Sequence, residues 1–413
     1  MNQERQQERS LLPLIPLGLA AFAGFLNLFG MNPFFVSIAD DIGTNVSMVG
    51  YTSTIALVVT GVAGLIVGPI AERVGIRRIL IAGLILASGG AVATAVAINT
   101  ETLVLARALA GIGGSITGGV TVSAAAILYA GRQRQRALAI ISASAAMAVV
   151  IGVFLMTLMA DPFGWRGAYI ILGGALLVIG LLNRILLAPD EQRPSRESFR
   201  GVKQLFSAYR PLLGDRSLRR LFTGALLHPA TLNGTTAYAG AFLISQHDTS
   251  TQFVGLVFSV IGITYFVGNL IAAQLGGVPQ HMVFSIGVLL MGGFWLAGYV
   301  VPVPPFAITA LFGMATFAAG IAWVTLLNSV ADRAGENVGT AMVFSASLMS
   351  FGGALGIGLS AGLLDISGYA GVAIGMAVLA TIGAIVGWVG PPTGAAAPAP
   401  STATSYERAT EFS

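Results

Sequence analysis

The stretch GPIAERVGIRR, residues 68–78, sets one acid and three arginines between two long apolar runs, 47–70 and 77–98. Gly68 and Gly75 permit close approach and a tight turn. Glu72 can sit against a helix N-terminus, and Arg73, Arg77 and Arg78 can bind carboxylates or lipid phosphate. The runs on either side decide the fold class, because a bilayer core of about 30 Å takes about 20 mostly apolar residues per helix.

Read outward with that ruler, the chain gives twelve spans: 12–38, 47–70, 77–98, 102–130, 136–160, 166–187, 220–245, 253–276, 281–301, 304–328, 338–363 and 369–390. Barrel strands alternate over about 10 residues, whereas these runs are continuously apolar, so the fold class is all-α integral membrane. Composition agrees. Charged residues make up 9% of the 413, against roughly 25% in soluble domains, and mean hydropathy is +0.84. Soluble enzymes, nucleic-acid binders and disulfide scaffolds are excluded, and with no cysteine so are thiol nucleophiles and thiolate metal sites. The first run resembles a signal peptide, with Arg5 and Arg9 before it and Ala21-Phe22-Ala23 inside it. Its length and its eleven successors predict an uncleaved first span.

Basic residues orient the chain. One set of loops holds Arg73, Arg77, Arg78, Arg132, Arg134, Arg136 and Arg333, and the segment between spans 6 and 7 adds Arg193, Arg196, Arg200, Lys203, Arg210, Arg216, Arg219 and Arg220. The opposite loops hold Arg166. Both termini are therefore expected in the cytoplasm, with the protein in the cell membrane. Residues 1–11 form a cytoplasmic tail, 12–188 and 220–390 two six-helix bundles, and 189–219 a cytoplasmic linker. In that linker Phe199, Val202, Leu205, Phe206, Tyr209, Leu212 and Leu213 recur at helical spacing among basic residues. This predicts an amphipathic helix on the inner leaflet. The tail 391–413, rich in Pro, Ala, Ser and Thr, reads as disordered.

Two six-span halves joined by such a linker are the layout of the major facilitator superfamily, and local motifs extend the likeness. Residues 68–78 resemble that superfamily's loop signature, with Glu72 in place of Asp. Arg107-Ala-Leu-Ala-Gly111-Ile-Gly113-Gly114 resembles its fourth-span motif. Gly164-Trp165-Arg166, Gly339-Thr340-Ala341, Gly352-Gly353-Ala-Leu-Gly356 and Gly368-Tyr369 resemble the twelve-span drug:proton antiporter branch. The resemblance implies transport by alternating access, with Gly68, Glu72, Arg73, Gly75, Arg77 and Arg78 forming a conformational latch on the cytoplasmic side. It also implies that a monomer suffices. Two departures stand out. The fifth span reads Gly152-Val-Phe154-Leu-Met156-Thr157 where the antiporter motif carries Gly-Pro, so that span is expected to lack its bend. The loop between spans 8 and 9 has neither the acid nor the arginines of its first-half counterpart.

Charge inside the hydrocarbon region is costly and by default functional. All seventeen acids lie in tails, loops or span ends. Arg107, about two turns into span 4, and His228, in span 7, are the intramembrane ionisable candidates. With Asp40 they form the expected set of coupling residues. Arg107 is a fixed charge that either faces a cavity or bonds span 1 carbonyls. His228 either titrates near neutral pH or serves as a neutral hydrogen-bond partner. Transporters of this fold bind substrate near the midplane between the halves. The candidate substrate-binding residues are therefore Asn27, Asn32, Arg107, Ser115, Ser144, His228, Asn233, Tyr238, Tyr265, Trp323 and Ser347, with Met147 and Phe344 as an adaptable apolar wall. The expected activity is proton-coupled efflux of small amphipathic compounds. A facilitator or anion carrier using Arg107 as the substrate's counter-charge is the alternative. The expected partners are a small-molecule substrate, protons and membrane lipid, with no nucleic acid, cofactor or metal. No carboxylate pair, metal-ligand cluster, Ser-His-Asp set or phosphate-cradling loop marks an enzyme.

Overall fold

The computed structural model describes residues 12–129, 131–187, 209–272, 274–275 and 278–388. The tails 1–11 and 391–413 and most of the 189–219 linker lie outside the described residues, as do the side chains of Glu72 and Arg73. Among the described residues nine stretches are long and apolar enough to cross a membrane, and two of them, Arg136–Leu186 and Val338–Trp388, are 51 residues each. Each of these is a double span. Gly164 (φ 66°) folds the first back and Gly368 (φ 64°) the second, in backbone conformations that favour glycine. With the helix Arg216–His247 as span 7, the count is twelve.

Span 1 is discontinuous. Its helix Leu14–Phe29 ends in a 3₁₀ turn, Asn32–Phe34, and a second helix, Phe35–Ile42, carries it past the expected end at residue 38. Pro33 has no N–H to offer the Phe29 carbonyl, so the α-helical ladder must stop there. Spans 2, 3 and 4 are Val46–Val74, Ile76–Ala95 and Thr100–Leu128. Asn45 caps span 2 through the Met48 amide, and Asn99 with Thr102 forms a capping box on span 4. Spans 8, 9 and 10 are Thr251–Ala272, Gln280–Val300 and Pro305–Ala334.

Span 5 corrects an expectation. It runs from Gly131 to Met147, then through a π-helical turn, Ala148–Gly152, into Val153. The span is thus distorted where the missing proline predicted regularity. The π-turn holds an extra residue in one turn of the helix, and Gly152 lets that turn lie against Phe22 and Leu26 of span 1.

Within the first half, span 4 packs on spans 1, 2 and 3, and span 3 on span 6. In the second, span 7 packs on the 11–12 pair, span 10 on spans 8 and 9, and span 9 on the same pair. The halves meet along spans 2 and 11, 5 and 8, and 1 and 7. Spans 4 and 10 pack chiefly within their own halves. The end of span 6 at Leu187 and the start of span 7 at Arg216 lie at one face of the molecule, the linker face; the loops around Gly43, Gly164, Asp248 and Gly368 define the far face. At the linker face residues 209–214 are helical, and Tyr209 and Leu212 are buried against Phe222, Leu218 and Phe344. The end of the predicted amphipathic helix is thus part of the protein's own packing.

Candidate functional site

The break in span 1 is the best-anchored feature of the first half. Asn27 and Leu28 belong to the last helical turn before it, where carbonyls lack intrahelical partners. Arg107, with no exposed surface, supplies them. Its Nη1 donates to the Asn27 carbonyl and its Nη2 to that of Leu28, each at 2.8 Å. A cation at a helix C-terminus is favourably placed against the helix dipole. Asn27 in turn donates to the Ala87 carbonyl of span 3 at 3.0 Å, and Asn183 of span 6 to that of Pro16 at 3.0 Å. Arg107 and Asn27 are therefore interior to the first half, holding span 1, rather than open to a space between the halves.

At the far face the two halves are closed on each other. Tyr238 of span 7 is buried, donates to the Ile357 carbonyl at 3.3 Å, and meets Phe35 edge-on with ring centroids 5.6 Å apart. Its hydroxyl lies so near Gly50 that a Cβ there would be 1.8 Å away. Asn32 is buried beside Gly240 of span 7, whose Cβ would meet the Asn32 carbonyl at 3.3 Å. Two polar bonds cross between the halves at their rim. The Ser47 hydroxyl donates to the Asp365 carboxylate, and Gln252 Nε2 donates to Asp161 at 2.6 Å. Within the first half Arg166 pairs with Asp41 at 2.7 Å and donates to the Ala95 and Ala97 carbonyls, and Trp165 donates to Asp41 at 3.1 Å. Asp40, one residue away from that clasp, is exposed.

Toward the linker face the contacts of span 1 change. Leu14–Phe29 packs chiefly on spans of its own half, while the inter-half contacts fall to Asn32–Ile42. A groove of about 520 Å³ opens along it, lined by Ile15, Gly18, Leu19 and Phe22 of span 1 and by Ile140, Ser144 and Met147 of span 5. Ser144 and Met147 thus line the same space, although the Ser144 hydroxyl is occupied by the Ile140 carbonyl at 2.9 Å.

In the second half His228 stacks on Trp323, with centroids 5.5 Å apart and planes at 27°. Its Nε2 lies 2.9 Å from the Ala319 carbonyl. A carbonyl only accepts, so Nε2 carries a proton, and in the neutral imidazole Nδ1 is then an acceptor; it is buried and has no partner among the described residues. Asn233, half-buried, donates to the Pro229 carbonyl at 2.9 Å and lies beside Gly353 of span 11. Tyr265 is half-buried in span 8. Ser115 and Ser347 are buried on either side of Gly64, their hydroxyls 3.5 and 3.9 Å from where its Cβ would be. Phe344 belongs elsewhere. It packs on Tyr209 and Phe222, with centroids 5.0 and 4.9 Å away, in the linker-face cluster rather than in a midplane wall.

Of residues 68–78, expected to form a latch, the side chains of 68, 69, 72 and 73 lie outside the described residues and the turn is described. Gly75 takes φ 103°, and Arg77 donates to the Arg184 carbonyl at the end of span 6. A second linker-face fastening joins Asp215, the cap of span 7, to Arg333 at 3.3 Å. Burial acts to raise the Asp215 pKa. The Leu218 and Ser217 amides and the Arg333 guanidinium outweigh it, holding the carboxyl below its ordinary value. Among the described residues no group of acidic or histidine side chains could hold a metal. Sequence reading passed over Ser47, Asp161, Gln252 and Asp365 as bridges. Their signal lay in position, at the very ends of spans, rather than in residue type.

Known proteins share this architecture and sequence. The uncharacterized MFS-type transporter YdgK of Bacillus subtilis is 28% identical over 291 residues, spanning 66% of this chain and 68% of that one. A probable sugar efflux transporter of Mannheimia succiniciproducens is 24% identical over 395 residues, 94% of each chain. Among solved structures, a bacterial homolog of the human lysosomal transporter Spinster, in an inward-facing and unoccupied conformation, matches with a TM-score of 0.74 at 16% identity, covering 91% of this chain and 95% of that one. The profile of the Major Facilitator Superfamily matches residues 17–280. With twelve spans in two halves and that match over more than half its length, this multi-pass membrane protein belongs to the Major Facilitator Superfamily.

Proposed function

We propose that the chain is a secondary transporter that works by alternating access and exports small amphipathic compounds in exchange for protons, its linker face in the cytoplasm. The observation that carries this reading is the uneven packing between the halves. The far face is sealed by Tyr238 against Gly50 and Phe35 and by two polar bridges. Spans 4 and 10 pack chiefly within their own halves, and span 1 turns an apolar groove toward the linker face. Helices packed through small residues have two-sided contacts that can open and close as rigid bodies. The apolar lining of the groove, with one polar side chain, Ser144, suits an amphipathic solute. The Mannheimia relative, named for sugar efflux, supports the outward direction.

For coupling, His228 is the best-placed of the three candidates. It is buried, and its Nδ1 is an unused acceptor beside the Trp323 ring. Arg107 is fully buried inside the first half with two donors on span 1 carbonyls, a placement that suits an anchor better than the accessible counter-charge of the anion-carrier alternative. Asp40 lies exposed at the far face. The test is transport by purified protein in vesicles enclosing a pH-sensitive dye. Addition of a transported compound should move protons opposite to it. Solute movement unaffected by a pH gradient would leave a facilitator, and no movement across a broad panel would reject the transporter reading.

A further inference from the structure

The two polar bonds that cross the far face are one device built twice. Asn45 caps span 2 and accepts from the Met48 amide at 2.8 Å; two residues on, Ser47 reaches across to Asp365. Ser250 occupies the matching place on span 8. It accepts from the Phe253 amide at 3.2 Å, and two residues on, Gln252 reaches across to Asp161. The acceptors match as well. Asp161 and Asp365 each stand three residues before the glycine that folds a double span back, Gly164 (φ 66°) and Gly368 (φ 64°). Each glycine is followed by an aromatic residue that bonds the far end of span 1 or span 7. Trp165 donates to Asp41 at 3.1 Å, and Tyr369 shares a hydrogen bond with Ser245 at 2.9 Å. Just beyond those partners, Gly43 and Asp248 both take left-handed backbone, φ 67° and 51°. Every pair is separated by 204 or 205 residues, as the numbers of Asp161 and Asp365 or Ser47 and Gln252 show.

We infer that Ser47–Asp365 and Gln252–Asp161 are a matched pair of latches that hold the far face closed, and that both must release for the halves to part there. The inference rests on the alternating-access reading. The geometry explains why each latch sits where it does. A carboxylate at the very end of a span accepts from a residue in the first turn of the facing helix, so the bond lies at the rim, where parting of the halves separates its ends first. The turn glycine lets one short segment do two jobs, its acid bonding the opposite half and its aromatic residue bonding its own. Because the two latches flank the interface, on spans 2 and 11 and on spans 5 and 8, a single one leaves the other edge able to hinge.

The chain has no cysteine, so a single Thr54→Cys reports cleanly. Thr54 lies on span 2 beneath the first latch, against Gly358 of span 11. Its labelling by a membrane-impermeant thiol reagent from the far side measures opening there. Removing one acceptor (Asp161→Ala or Asp365→Ala) should raise the labelling rate about threefold, and removing both about tenfold or more, as expected for hydrogen bonds to charged acceptors at a wet rim. The milder Ser47→Ala with Gln252→Ala should do the same, which guards against a misfolded acid variant. Exchange of the pair, Ser47→Asp with Asp365→Ser, should restore the slow rate. A rate unchanged in both double variants overturns the latch. Faster labelling in the variants of a protein that moves no solute would keep the latch and reject the transporter reading instead.

Discussion

Arg107 shows what a single residue can reveal and what it conceals. Its place within span 4 leaves two readings open, a charge facing a cavity or a donor to span 1 carbonyls, and the contacts match the second; residue type alone does not choose between them, because backbone carbonyls leave no trace in a string of letters. Only the break at Pro33 hints that carbonyls nearby need a donor. Arg107→Ala should lower the thermal stability of the purified protein by about 2–5 kcal/mol, since two buried carbonyls lose their partners. Arg107→Lys, with a compact ammonium in place of the fork, should recover part of that loss; a melting temperature unchanged in the alanine variant would contradict the anchoring role. His228 is the complementary case, with its ring placed and its Nδ1 unused. His228→Phe keeps an aromatic ring on Trp323 and removes both nitrogens, so initial transport rates should fall about three- to tenfold with little change in melting temperature. Asp215 carries a pH dependence of known sign. Its folded-state pKa is held below the ordinary value, so its contribution is complete above the ordinary carboxylate pKa and is lost as pH falls through the lower, folded-state value. Arg333→Gln should weaken that acid-side dependence, as a melting series against pH would show.

At the scale of elements, the runs of apolar residues made twelve spans legible, because lipid leaves helices no alternative. The breaks were harder to read. Gly164 and Gly368 stand in motifs singled out for their resemblance, yet their common left-handed turn is a backbone property shared with many glycines that stay helical. The π-turn in span 5 left no signal in the missing proline, since proline is only one of several ways to distort a helix. The repeat of the rim, at 204 or 205 residues, is faint in the letters because its donors, Ser47 and Gln252, differ in type, and its acids, Asp161 and Asp365, are ordinary span-end residues. Close approach makes two predictions at this scale. Gly50→Ala would set a methyl 1.8 Å from the Tyr238 hydroxyl. Tyr238 is buried, with its hydroxyl on the Ile357 carbonyl and its ring edge-on to Phe35, so the substitution should favour the parted form, seen as faster far-side labelling of a Thr54→Cys reporter. Gly164→Ala would force a non-glycine residue into the positive-φ, extended-ψ region that is essentially reserved for glycine (φ 66°, ψ 172°), at a cost of about 1–3 kcal/mol, measurable as a lower melting temperature, and should loosen the Asp41 clasp that Trp165 and Arg166 make just after it.

For the whole molecule, the account joins a sealed far face, spans 4 and 10 that keep to their own halves, and a groove toward the linker face. Scarcity of charge identified the membrane fold. The same scarcity leaves few candidate coupling groups, of which Arg107 is bound to span 1 carbonyls and His228 keeps a ring nitrogen without a partner among the described residues. The chemistry that closes the molecule is carried by acids at span ends, where their charge is cheap and their reach is across the interface. The central claim is that the two faces open in alternation. Spin labels at Ile98→Cys with Ile366→Cys report the far face, and labels at Arg134→Cys with Asp332→Cys report the linker face; all four positions are exposed. Distances measured in lipid across a range of pH, with and without a transported compound, should show two populations, with the far-face separation growing as the linker-face separation shrinks. A single unmoving distribution at both faces, or separations that rise and fall together, would contradict the account.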